Sequence, residues 1–90
     1  LGRLRRMPDQ EPVLMHLYAL ALQHPGDLEH GHGEAVLRTM SPPGSDVGGA
    51  LERLAAQGLA RRTANGLWTP TTVGRRQAQR VLDRESEPAP

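Results

Sequence analysis

Between residues 12 and 23 the chain reads PVLMHLYALALQ, and its apolar positions fall too densely for a simple amphipathic stripe. Placed at about 100° per residue on a helix, they cover more than half the circumference. Only His16, Ala19 and Gln23 share the remaining arc. The pattern predicts a helix buried on most sides, central to the fold or set in a dimer interface, with His16 facing water. Pro12 suits the first helical position, where a missing N–H removes no intrahelical bond. EAVLRTM at 34–40 predicts a short second helix, and SPPGS ends it because proline and glycine cannot continue it. A third helix is predicted as far as residue 57, N-capped by Ser45 or Asp46. Its core stripe is Val47, Ala50, Leu51 and Leu54, at i, i+3, i+4 and i+7. Gly49, Glu52, Arg53 and Ala56 form its outer face, and Gly58 suits the stop just past its end.

The pattern then changes period. LARRTANGLWTPT holds two short runs around Asn65-Gly66, which predicts a hairpin with a type I′ turn. Thr71 or Thr72 caps a fourth helix over about 73–84, with Gly74, Ala78, Val81 and Leu82 on its buried side and Arg76, Arg80 and Arg84 on the other. Between the first two helices, residues 24–33 read as a turn, a very short strand around Leu28, then a loop. The expected core is Leu14, Leu17, Tyr18, Leu37, Val47, Leu51, Leu54, Leu59, Trp68, Val81 and Leu82. Residues 1–11 read as a basic linker or arm, 12–84 as one folded domain, and 85–90 as a disordered polar tail.

Composition narrows the class. Ninety residues make one small domain, and with no Phe, one Trp and one Tyr the core is aliphatic, which suits packed helices. The absence of cysteine excludes disulfides and thiolate metal sites and fits a cytoplasmic setting. The longest apolar run, 13–22, falls short of the roughly 18–20 residues a membrane span needs. The formal charge of +1 means that arginine placement matters more than net charge. Arg61 and Arg62 fall in the first strand of the hairpin, where alternation turns one of them outward. Arg76, Arg80 and Arg84 read as a solvated face or, alternatively, as contacts to phosphate or to an acidic partner. The chain begins with Leu and a basic LGRLRR, which reads as a piece of a longer protein. No Ser/His/Asp arrangement, phosphate loop or catalytic carboxylate pair stands out, so the expectation is not an enzyme, with no small-molecule substrate evident.

The stretch ALERLAAQGLARRTANGLWTPTTVGRRQAQRVL, residues 50–82, resembles the recognition helix, wing and following helix of bacterial winged helix-turn-helix regulators. Leu51, Leu54, Gly58, Leu59, Asn65, Gly66, Thr71, Gly74 and Ala78 carry the likeness. Among such regulators the chain is most similar to the iron- and manganese-dependent repressors, and next to multiple-drug-resistance regulators. The resemblance implies a mainly helical winged-helix fold and a DNA-binding, transcription-regulating role. Candidate DNA contacts are then Ser45, Asp46, Gly49, Arg53, Arg61, Arg62 and Asn65. The chain departs from the pattern in its long SPPGS turn and in a recognition helix that opens Gly48-Gly49 and exposes Glu52. Base readout needs Arg, Asn, Gln or Ser/Thr there. What remains is weak, sequence-tolerant phosphate contact. A second reading is a regulatory or interaction domain appended to the cytoplasmic side of a metal-ion ABC transporter permease, whose arginine-rich junction LGRLRR resembles.

The stretch HPGDLEHGHGE at 24–34 gathers three of the chain's four histidines. His30, His32 and Glu34 stand at alternate positions and are candidate ligands for a divalent metal. Ordering His-Gly-His-Gly costs entropy, which favours a polar connector that binds metal weakly. The repressors' own regulatory ligands come from the first helix and from a later dimerisation domain. Here the first helix offers Met15 and His16 and the last offers Glu85, so that site is not carried over.

Overall fold

The computed structural model describes residues 10–86. The order is α1 (Gln10–Ala21), α2 (Glu34–Met40), α3 (Val47–Ala56), β1 (Ala60–Arg62), β2 (Trp68–Pro70) and α4 (Thr72–Ser86). This is the expected mainly helical chain with one small antiparallel hairpin, in which Ala60 pairs with Pro70, Arg61 with Thr69 and Arg62 with Trp68. α1 begins two residues before Pro12, which therefore sits in the first turn, where no intrahelical partner is lost. Gln10 and Glu11, expected in the arm, are helical, and α4 runs through Glu85 and Ser86, expected in the tail. LGRLRR and residues 87–90 lie outside the described residues.

α1 is the central element. It packs against α2, α3, α4 and β2, which covers most of its wide apolar face. Val13, Leu14, Leu17, Tyr18 and Ala21 are buried along it. Leu37 arrives from α2, Val47, Ala50, Leu51 and Leu54 from α3, Leu59 from the approach to the hairpin, Ala60 from β1 and Trp68 from β2. The expected core is buried except Leu82, which is partly buried against its rim. The Tyr18 hydroxyl donates to Gln79 Oε1 at 2.6 Å, fastening α1 to α4.

The helix ends follow local chemistry. Asp46 is the cap of α3, its carboxylate accepting from Gly49 N–H at 3.1 Å. At the other end Leu59 N–H donates to Leu54 C=O and Gly58 N–H to Ala55 C=O, the pair of bonds that closes a helix in a Schellman turn. Thr71 starts α4. Its hydroxyl donates to Gly58 C=O at 2.6 Å and accepts from Gly74 N–H at 3.0 Å, so one side chain joins the end of α3 to the start of α4.

Three expectations need correction. The hairpin tip is not type I′, because Asn65 keeps a negative φ and Gly66 alone is left-handed, at φ 79°. Gly66 N–H bonds Thr63 C=O and Thr63 N–H bonds Leu67 C=O. This is the longer loop in which a left-handed glycine follows an ordinary turn. Buried Thr63 organises it, accepting from Asn65 and Leu67 N–H through its hydroxyl. The short strand is not at Leu28, which lies exposed in a turn. It falls at His32, whose backbone exchanges both hydrogen bonds with Trp68, each at 2.9 Å. His16 is half-buried rather than solvent-facing, and its Nδ1 is buried with no hydrogen-bond partner.

Candidate metal centre and arginine surface

The loop after α1 folds back on itself. His24 N–H bonds Ala21 C=O, Asp27 N–H bonds His24 C=O, and His30 N–H bonds Asp27 C=O. These turns return the chain so that His30 stacks on His24 with ring centroids 3.6 Å apart and 19° between planes. His32 closes the group, its ring 5.1 Å from that of His30 and 5.8 Å from that of His24. One ligand atom from each imidazole lies within 4.8 Å of the others, so the triad could hold a metal ion. All three residues are half-buried.

The triad differs from the one expected. Glu34 is the first residue of α2, and its carboxylate accepts from the Arg38 guanidinium one turn along the helix. His24 supplies the third nitrogen in its place. The segment also has contacts that hold it against the hairpin. Gly31 is buried, and a Cβ there would stand 2.6 Å from Leu67 Cβ and 2.8 Å from Thr63 Cγ2. The absence of that Cβ lets the segment lie flat on the hairpin, and the paired bonds of His32 to Trp68 fix it there. These contacts reduce, at Gly31 and His32, the ordering cost that a free peptide would meet on binding.

Burial pushes the His32 imidazole below the usual histidine range by disfavouring its charged form. His30 and then His24 add repulsion, and a hydrogen bond to the Leu20 backbone opposes them. The His32 Nε2 is buried without a hydrogen-bond partner. Asp27 Oδ2 lies 3.8 Å from His30 Nδ1, an outer carboxylate beside the cluster.

The arginine surface is a separate feature. Arg61, half-buried, donates to Glu29 Oε2 at 2.6 Å and reaches the Leu28 carbonyl. Arg62 is exposed, lies 4.6 Å over the Trp68 ring and stands 3.8 Å from Glu52 of α3. Arg53 stands 3.8 Å from Asp46. Each arginine among the candidate DNA contacts therefore has a carboxylate of the same chain beside it. Ser45 turns its hydroxyl to Pro42 C=O, Gly49 is half-buried under the Asp46 cap, and Asn65 is exposed at the hairpin tip. Arg76, Arg80 and Arg84 are exposed along α4, with no ion pair to any described residue.

Sequence reasoning missed Glu29 and His24. Both precede the alternating His-x-His-x-Glu pattern, and only the turns at Pro25-Gly26 and Asp27 bring them back. No helix among the described residues is long and apolar enough to cross a membrane. In comparison with known proteins, no family model, no curated protein and no solved structure matches the chain.

Proposed function

We propose that this chain is a winged helix-turn-helix module acting as a regulatory or interaction domain, with duplex contact confined to weak, sequence-tolerant binding of phosphates. The element order supports the winged-helix reading, and so does the His32–Trp68 bridge, which adds a third strand position beside the hairpin. The functional reading is carried by one observation: Arg53, Arg61 and Arg62 each face a carboxylate, Asp46, Glu29 and Glu52 respectively. All three pairs are exposed and worth at most about 1 kcal/mol each, so they do not lock the arginines in place. They do cancel the field that would draw in a polyanion. The start of α3 adds only Gly48 and Gly49 where a base-reading helix needs long polar side chains.

The α4 face of Arg76, Arg80 and Arg84 is then the surface for an acidic partner. The setting of a domain appended to a metal-ion permease is supported by the three clustered imidazoles, which suit a module that responds to metal. Fluorescence anisotropy with labelled duplexes at two salt concentrations tests the reading. The expected outcome is shallow binding at low salt, without preference among sequences, and its loss at physiological salt. Tight binding of one sequence at physiological salt would show that α3 reads bases and would overturn it.

A further inference from the structure

Three imidazoles meet where the end of α1, the following loop and the segment paired with the hairpin come together. Such a cluster needs a reason, because ring stacking alone does not require that all three nitrogens converge. Four features of the site suit a metal. The donor set is all imidazole nitrogen, with no thiolate available anywhere in the chain. Imidazole suits zinc, copper and nickel, whereas magnesium and calcium take oxygen ligands. The His32 Nε2 is buried and has no hydrogen-bond partner. Asp27 Oδ2 stands 3.8 Å from His30 Nδ1, not hydrogen-bonded to it but near enough that a small side-chain rotation would let it orient a metal-bound His30. The segment bearing His30 and His32 is already held, through buried Gly31 and the His32–Trp68 bridge.

The spacing is close to what coordination demands. Metal–nitrogen bonds of about 2.0–2.1 Å place tetrahedral ligand atoms about 3.3 Å apart. The present limit of 4.8 Å thus asks for a closure of at most about 1.5 Å. Side-chain rotation of His24 and His30, both in a surface loop, supplies that without moving the backbone that carries His32.

We propose that His24, His30 and His32 bind one divalent transition-metal ion of the zinc type, leave a fourth coordination position open, and thereby fasten the end of α1 to the segment paired with the hairpin. Binding would also hold the loop that carries Glu29, the carboxylate engaged by Arg61, so the metal and the arginine surface share one structural support. This inference deepens the metal-responsive reading and stands on the histidine geometry alone. Failure of duplex binding leaves it intact, and its own failure leaves the charge argument intact.

The test uses the untagged chain, because a polyhistidine tag would itself take up the probe. Calorimetric titration with zinc chloride is expected to give one site per chain. Cobalt is expected to bind in its place and develop the visible absorption of a tetrahedral ion, while magnesium gives no heat. At zinc about 100-fold above Kd the melting temperature is expected to rise by roughly 10–20 °C. His24→Ala and His30→Ala change loop residues outside the core and keep the helical circular dichroism. Each is expected to weaken zinc at least about 100-fold, beyond what loss of an outer-shell partner costs. Glu34→Gln leaves affinity unchanged, which separates this triad from His30, His32 and Glu34. No zinc heat at tens of micromolar protein would overturn the proposal, as would one-to-one binding that survives both alanine variants.

Discussion

Gly74 shows how a single missing Cβ sets the distance between two elements. The carbonyl of Leu59 lies against its Cα, so a Cβ would overlap the carbonyl oxygen and stand 2.9 Å from the carbonyl carbon. Both atoms are backbone and cannot swing aside. The same carbonyl accepts from Thr71 N–H at 3.0 Å, so the start of α4 is bonded to the chain it presses on. Gly74→Ala is expected to cost about 1–3 kcal/mol, the usual penalty for overpacking. Urea unfolding measures it, and a cost below about 0.5 kcal/mol would show that α4 can slide away freely. The sequence placed Gly74 on the buried side of its helix but could not show what it touches, because a close backbone approach leaves no periodic trace. His24 is the complementary case. Its side chain was visible in the sequence, but its partnership with His30 and His32 depends on turns whose reversal no spacing rule encodes.

At the scale of elements, the third helix shows how far periodicity carries. Val47, Ala50, Leu51 and Leu54 were legible as one stripe, and all four are buried against α1 and its neighbours. Leu51 is fully buried. Leu51→Ala is expected to destabilise by about 2–5 kcal/mol through lost burial and the cavity left behind, read from chemical denaturation. A loss well under 1 kcal/mol would mean that α3 is not seated on this core. The hairpin was legible in existence but not in turn type, because Asn-Gly serves both a two-residue loop and a longer loop closed by a left-handed glycine. The third strand position was misplaced to Leu28 because a single bridge at His32 has no alternation to reveal it. What fixes it is Trp68, a partner far along the chain.

For the whole molecule, the balance of charge decides how the surface meets a polyanion. The net charge of +1 conceals local pairing that joins separate elements: Glu29 of the α1–α2 loop to Arg61 of β1, and Glu52 of α3 to Arg62. These acids neutralise the hairpin arginines from outside the hairpin, which is why the local run ARRT read as more basic than the folded surface is. Replacing the acids by amides tests the point without altering shape. The double variant Glu29→Gln, Glu52→Gln leaves the core untouched and is expected to keep its fold, since exposed pairs contribute at most about 1 kcal/mol each. Its affinity for duplex DNA is expected to rise several-fold at low salt. The plot of log affinity against log salt should steepen by about one to two, as each freed arginine adds up to one phosphate contact with its released counterion. Sequence preference should stay flat, because phosphate contacts carry no base information. An unchanged affinity and slope would show that the hairpin arginines do not meet phosphate even when released. Arg76, Arg80 and Arg84 of α4, exposed and without an ion pair to any described residue, would then be the next side chains to replace.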